Sequence, residues 1–309
     1  MKVFLVIVDP NNDFVCKREM VKYNHPQHGV IEVPTGNEGS LYVAGAEQNA
    51  DNLVAMLDAR GDKFDDIFVT LDAHHDMDQA HVTWWKDKET GALVDPFTCI
   101  GIHPDRRRVV QFLLDAAGAH PTERELTTTI PSYMYQGGVT SKGSFGYLEV
   151  LEARGRYRHF AWPVHCRIGQ WGGAMYAPLG KALSRWAVRN LAVVNYVTKG
   201  SNIYTEHYSA VEAEVPDPQD ESTQVHRRLV QALEVADIIA FGGWARSHCV
   251  AETFRSIAKL FSNPKYIEKL VMLEDATADV TGLEFMGEAF VKEMVAKGMK
   301  ISNTRDFLA

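Results

Sequence analysis

Residues 3–9 read VFLVIVD, six apolar residues without polar alternation that end on an acid. A half-buried strand alternates apolar and polar positions, whereas a strand covered on both faces of a parallel sheet is apolar throughout. This run is therefore a central parallel strand. In open α/β sheets ligands gather outside the carboxyl ends of the strands, which makes Asp9 a site candidate. It is also placed to cap the following turn, PNND.

The pattern repeats downstream. Residues 41–60 set Val43, Ala46, Ala50, Leu53, Val54 and Leu57 on one helical stripe closed by Gly61. Residues 67–71, IFVTL, follow as a second strand that delivers Asp72 to its end, with His74, His75 and His81 close behind. Strand, helix, strand is a βαβ unit. Residues 191–197 form a later strand ending at Lys199 and Gly200, between predicted helices at 178–190 and 223–235. Residues 238–241, IIAF, are a short buried strand ended by Gly242 and Gly243, and Val250, Phe254, Ile257, Ala258 and Phe261 start a helical stripe. Cys249 stands just before that helix, where unpaired N–H groups and the helix dipole favour a thiolate. Alone, it equally fills a strand-to-helix corner as a small buried residue. A strand at 269–273, a helix at 283–296 and a short strand at 300–303 complete the chain.

Two stretches depart from the α/β rhythm. Residues 23–40, rich in Gly and Pro, read as a hairpin or loop excursion. In 84–158, residues 104–117 predict a helix with Pro104 in its first turn, Val109, Phe112, Leu113 and Ala116 on one face and Gly118 after it. No regular structure is assigned to 127–144, and GGVTSKGS within it lacks phosphate-loop spacing. Both stretches are read as insertions in a single domain spanning 1–309.

With 32 basic and 40 acidic residues the formal charge is −8, which argues against an electrostatic nucleic-acid binder and gives no support for binding anionic membranes. Cys16, Cys99, Cys166 and Cys249 are widely spaced, so neither a disulfide framework nor a thiolate zinc site is indicated. The first apolar run is too short for a signal segment or a membrane span. A soluble cytoplasmic protein acting on small molecules is expected, and a homo-oligomer is left open.

Asp9, Lys199 and Cys249 all lie at or just past strand ends, where a sheet gathers them along one edge. There Asp9 can take the thiol proton, Lys199 can hold the negative charge and Cys249 can attack a carbonyl. A second set, Asp72, His74 and His165, offers carboxylate and imidazole ligands suited to zinc, iron or manganese. Against these, Lys199 alone reads as a surface lysine, and His74, His75 and His81 as exposed loop histidines.

Five motifs in order raise both sets together: VDPNNDF (8–14), LDAH (71–74), WPVHCRIGQWG (162–172), VTKG with YSA (197–200 and 208–210) and SHCVAET (247–253). In these the chain resembles the isochorismatase-like cysteine hydrolases, and nicotinamidases in particular; EDATA at 274–278 is similar to the family's late strand. The resemblance implies a three-layer, Rossmann-like α/β fold with a six-stranded parallel sheet and helices on both faces. It implies a catalytic triad of Asp9, Lys199 and Cys249 and a divalent metal, zinc first, held by Asp72, His74 and His165. It further implies an oxyanion hole from backbone N–H groups at Cys249 and near Ala245 beside a non-proline cis peptide at Trp244, with Phe14 lining the pocket. The implied reaction is hydrolysis of a small carboxamide, nicotinamide to nicotinate plus ammonia, through a thioester. Departures are DAHH where the family has a DWHP-like run, a later His81, and Ser247 and His248 where an acid two before the cysteine is common. Two rival readings are a metallo-hydrolase with a metal-bound hydroxide as nucleophile and a ligand-binding protein without turnover.

Overall fold

A computed structural model describes residues 1–17, 20–25, 29–34, 39–131, 140 and 142–309. The body is built on β1 (Val3–Val8), α1 (Asn12–Val15), α2 (Ala46–Arg60) and β4 (Asp66–Asp72), with a hairpin of β2 (Met20–His25) and β3 (Gly29–Pro34) between α1 and α2. An antiparallel unit follows, made of β5 (Trp85–Asp87), β6 (Thr98–Ile102), β7 (Val109–Asp115), β8 (Gly118–Thr128), α3 (Gly143–Ala153) and β9 (His159–Ala161). The body then resumes with α4 (Ala177–Asn190), β10 (Asn195–Lys199), α5 (Arg227–Glu234), β11 (Ile238–Trp244) and α6 (Ala251–Leu260). It closes with β12 (Leu270–Ala278), α7 (Glu284–Ala296) and β13 (Lys300–Ser302).

The central sheet has six parallel strands in the order β10-β4-β1-β11-β12-β13. The expected α/β architecture is thus present. From β1 the chain moves outward through β4 to β10, then returns to the other side of β1 for β11, β12 and β13. With right-handed crossovers, this reversal puts the helices of the two halves on opposite faces. The switch point lies between β1 and β11, where a doubly wound sheet opens a crevice. Every residue of β1 is buried, as its unbroken apolar run requires. Among the described residues no helix is long and apolar enough to cross a membrane.

Several boundaries differ from the sequence reading. The glycines at 242 and 243 do not end β11: the strand continues to Trp244 with a register shift between Phe241 and Gly243. Gly243 pairs with Val8 at φ +142°, and a Cβ there would lie 2.4 Å from the Val8 carbonyl oxygen, so glycine permits the close approach. The strand expected at 191–197 is β10, because Leu191 caps α4 in the left-handed conformation (φ 50°, ψ 41°) and the strand starts only at Asn195. The helix expected at 104–117 is absent. There β7 and β8 form a hairpin whose turn is closed by Asp115 Oδ1, which accepts from the N–H groups of Ala117 and Gly118. In 23–40 the hairpin is present in β2 and β3, and the remainder up to residue 38 lies outside the described residues, as do 132–139 and 141 of the stretch expected to be irregular.

The antiparallel sheet is ordered β5-β8-β7-β6-β9, and its strands β6 and β9 are buried throughout. Cys99, Val110, Phe112 and Phe160 pack into the main core. Ile100, Ile102 and Ala161 face the other way, into a second apolar cluster with Tyr147, Leu148 and Leu151 of α3. The period of two along β6 and β9 assigns each residue to its side.

Charged contacts also tie this unit to the body. Just after α3, Arg154 donates to Glu212 at 2.8 Å, while Arg156 donates to Glu212 and, at 2.7 Å, to Glu252 of α6. Glu214 is fully buried beside them; neither of its oxygens accepts a hydrogen bond, and Arg156 Nε lies 3.6 Å away. Burial pushes its carboxyl from an ordinary 4.5 up to about 8, against the pull of Arg156. A carboxyl that holds its proton longer when folded contributes stability that is fully present below about pH 4.5 and lost as the pH rises toward 8. Glu214→Gln, neutral at every pH, is therefore expected to flatten this decline. Urea unfolding midpoints at pH 5 and pH 8 should differ less in the variant than in the parent.

Candidate active site

Asp9, Lys199 and Cys249 meet at the switch point. Asp9 ends β1 in the left-handed conformation (φ 53°), a strained geometry for a residue other than glycine. Thr70 of β4 holds it from both sides, its carbonyl and hydroxyl oxygens each 3.1 Å from the Asp9 N–H and its hydroxyl 2.5 Å from Oδ1. The side chain faces the crevice and does not cap the PNND turn. In that turn Asn11 bridges strands instead, donating to the Asp72 carbonyl at 2.9 Å and accepting the Asp72 N–H at 3.1 Å. Lys199 pairs with Asp72 in register at the ends of β10 and β4, and its stem is long enough to reach β1 as well. Its Nζ lies 2.8 Å from Asp72 Oδ1, 2.9 Å from Asp9 Oδ2 and 3.7 Å from Cys249 Sγ. It is buried, so the reading of Lys199 as a surface lysine fails.

Cys249 lies within a π-helical turn, Arg246–Val250, that joins β11 to α6. The Ala245 carbonyl accepts from the N–H groups of His248 at 2.8 Å and Val250 at 3.4 Å. Every peptide bond among the described residues is trans, so the expected cis peptide after Trp244 is absent; the chain turns instead through Ala245 in the left-handed conformation (φ 54°, ψ 53°). The expectation of a thiolate at a helix N-terminus is overturned as well. Burial pushes the Cys249 thiol well up, with Asp9 and Asp72 adding to the rise and Lys199 opposing it, so the resting group is a thiol. Burial likewise raises Asp9 despite Lys199. Burial alone would raise Asp72 too, yet His74 and Lys199 hold it well below the usual carboxylate range.

Beside this group stand three imidazoles. Asp72 Oδ2 lies 3.1 Å from His74 Nε2 and 3.3 Å from His165 Nε2. Donors about 2.0–2.1 Å from a tetrahedral zinc ion are separated by about 3.3 Å, so the Asp72–His74 and Asp72–His165 spacings each suit a pair of donors on one ion. His74 Nδ1 is backed by Asp78 Oδ2 at 3.0 Å and His165 Nδ1 by the Pro163 carbonyl at 2.9 Å, the outer contacts that aim a ligating Nε2 inward. His81 packs beside them, with ring centroids 5.0 Å from those of both His74 and His165, and its Nε2 lies 3.1 Å from His165 Nδ1 and accepts the His165 N–H at 3.4 Å. Burial, followed by the neighbouring imidazoles, keeps His81 neutral, the form a metal requires. His74 and His81 are buried and only His75 is exposed, so the exposed-loop reading holds for His75 alone. Cys166 also brings its sulfur within 4.8 Å of ligand atoms of Asp72 and His165; without an ion, burial and the nearby carboxylates push its thiol well up. Gly200, at φ +92°, makes room for the cluster: a Cβ there would lie 3.0 Å from both Asp72 Oδ1 and His74 Cε1.

One cavity joins both groups. Its walls include Cys249, Lys199, Asp72 and His165, together with Phe14, whose ring lies 5.5 Å from that of His165. Ala245 also reaches it, as do Glu206 and His248, which the sequence reading left without a role in the pocket. The space open to the centre of a water molecule is about 20 Å3, room for little more than one water, so a ring enters only as side chains give way.

The fold is shared with solved structures of nicotinamidases. More particularly, these structures align over nearly the whole chain. The yeast nicotinamidase Pnc1p is similar at 18% identity and a TM-score of 0.54, covering 98% of this chain and 100% of its own. A nicotinamidase pyrazinamidase from Acinetobacter baumanii is similar at 17% identity and a TM-score of 0.55, covering 99% of this chain and 98% of its own. PnC1 from L. infantum, solved in complex with nicotinate, is similar at 18% identity and a TM-score of 0.51, covering 98% of this chain and 93% of its own. At such identities the likeness defines the fold. Neither protein-family models nor curated proteins give a match.

The Lys199 ammonium is shared by two carboxylates that are otherwise buried together. Lys199→Met keeps the stem and removes the charge, leaving Asp9 and Asp72 facing each other in a dry site. Removing one partner of a buried ion pair costs about 3–5 kcal/mol. Equilibrium urea unfolding at neutral pH is expected to show a loss of this size, with the gap narrowing in acid as the carboxyls take up protons.

Proposed function

We propose that the protein is an amidohydrolase converting a small heteroaromatic carboxamide, nicotinamide first, to the acid and ammonia through a thioester on Cys249. The observation that carries this reading is the Lys199 ammonium, 2.9 Å from the Asp9 carboxylate and 3.7 Å from the Cys249 sulfur, in the wall of a cavity that also reaches Asp72 and His165. Asp9 takes the thiol proton, and the sulfur attacks the carboxamide carbon. Backbone N–H groups at Ala245 and Cys249 receive the oxyanion. Asp9 returns the proton to the nitrogen, the C–N bond breaks and ammonia leaves. Asp9 then deprotonates a water that attacks the thioester; the C–S bond breaks, the acid departs and the sulfur regains its proton. Lys199 balances the carboxylate and the transient thiolate.

Asp72, His74 and His165 would hold a divalent metal, zinc first, with His81 as a fourth donor. Such an ion supplies a Lewis-acid anchor for a ring nitrogen. Phe14 packs against the ring. On this reading residues 1–309 act as one hydrolase domain to which the hairpin and the antiparallel sheet are additions.

Ammonia release from nicotinamide tests the nucleophile. Cys249→Ala is expected to lower it at least about 1,000-fold, since attack at carbon then has no thiolate. Retained release from this variant, together with indifference to thiol alkylation, would transfer the chemistry to a metal-bound hydroxide. Metal content provides a separate check. His74→Ala is expected to abolish zinc retention after gel filtration, and His81→Ala to weaken it roughly 10- to 100-fold by competition with a chelator. Undiminished retention by both variants would remove the metal from this cluster.

A further inference from the structure

Two polar groups in the wall of the cavity have no task in the chemistry above, and each has one side-chain atom without a hydrogen-bond partner among the described residues. Glu206 is 3% exposed; its Oε1 accepts the His207 N–H at 2.8 Å, and its Oε2 accepts from nothing. His248 is 1% exposed and sits among four aromatic rings, those of Tyr157, Phe160, Trp162 and Tyr208, at 5.0–5.4 Å between centroids. Its Nδ1 lies 3.0 Å from the Ser247 hydroxyl, which already accepts the Val280 N–H at 3.2 Å. With that hydroxyl donating to Nδ1, the tautomer we assign, the ring proton sits on Nε2. Burial, with Arg255 adding to it, holds the imidazole neutral by lowering its pKa to about 3. His248 Nε2–H is thus a donor without an acceptor. Buried polar groups are nearly always paired, and a donor and an acceptor left open in one ligand cavity point to a ligand that completes them.

We propose that Glu206 and His248 are specificity-determining residues and that the substrate is a heteroaromatic carboxamide carrying a ring hydroxyl or its lactam form, a group that donates to Glu206 Oε2 and accepts from His248 Nε2–H. This deepens the amidohydrolase reading and rests on it. A ring without the substituent leaves both groups open or dependent on a trapped water, whereas the proposed substituent pairs with them. A site built in this way disfavours the plain ring by roughly 10- to 100-fold.

The test compares kcat/KM for ammonia release from nicotinamide and from each of its ring-hydroxylated analogues, using the full-length, zinc-loaded protein. The parent is expected to favour at least one hydroxylated isomer by roughly 10-fold or more. His248→Phe, which suits the aromatic surround, and Glu206→Gln, which keeps one carbonyl oxygen, are each expected to bring that ratio toward one. His248→Gln, which retains an N–H, should restore part of it and stands in if the phenylalanine variant does not fold by circular dichroism. A parent that favours nicotinamide overturns the proposal. So does a ratio unchanged in the variants, the result expected if the imidazole N–H is spent on the faces of Phe160 and Trp162. Should no carboxamide be hydrolysed, the proposed function falls by itself. The same ratio, read by calorimetry on binding of the matching carboxylic acids, then decides this proposal, and absence of binding by all of them overturns it too.

Discussion

A single buried ammonium holds this site together. Lys199 Nζ lies within 3 Å of carboxylates from two other strands, and all three groups are buried. Isolated charges are costly in such surroundings, and an ion pair offsets that cost only with close geometry and further hydrogen bonds. Those bonds come from Thr70 to Asp9 and from the imidazoles to Asp72. Desolvation would lower the lysine pKa, but Asp72 and Asp9 hold it well above its ordinary value. The cation therefore stays charged and fixes the spacing of three strand ends.

The topology explains why these strands and no others contribute. Asp9 and Cys249 follow β1 and β11, the neighbours between which the sheet reverses its direction of growth. Lys199 and Asp72 follow the next two strands on one side. Three of the seven non-glycine residues with positive φ among the described residues, Asp9, Cys166 and Ala245, lie at this site. Conformations of this kind persist only where surrounding packing enforces them. Here the enforcement is visible in the double contact of Thr70 with Asp9 and in the Asp13 carboxylate that accepts the Cys166 N–H at 2.6 Å.

The sheet was legible because β1 is apolar without a break, β4 is apolar over residues 67–69, and the helices between strands keep a regular stripe. The helix read at 104–117 failed for an instructive reason: Val109, Phe112 and Leu113 fit a helical face, but Val110 and Phe112 fit a strand equally well, and pairing with Cys99 and Gly101 of β6 decided the matter. Nothing local in the chain carries that pairing. Gly243 was read as a stop although its role is steric, which only its neighbour Val8 makes evident. His81 reads along the chain as an exposed loop histidine that comes late for the family's spacing, and only the fold shows it buried with its ring 5.0 Å from that of His74. Glu206 and His248 were unassigned as pocket groups for a related reason. An unpaired buried polar atom is a property of surroundings, and no sequence period encodes it.

The correction at Cys249 bears on how the proposed chemistry starts. A thiol raised by burial is a weak nucleophile if it must give its proton to water, because that step leaves a net negative charge in a dry site. Transfer to Asp9 is different. Thiol plus carboxylate becomes thiolate plus carboxylic acid, and the net charge of the buried group of Asp9, Asp72, Lys199 and Cys249 does not change. Burial raises both the donor and the acceptor of that proton, so the two shifts offset each other in the transfer. The new thiolate also lies next to Lys199, at the 3.7 Å already present in the resting site. The desolvation that makes Cys249 unreactive toward bulk solvent thus leaves its exchange with Asp9 nearly untouched, which confines reactivity to a substrate already inside the cavity.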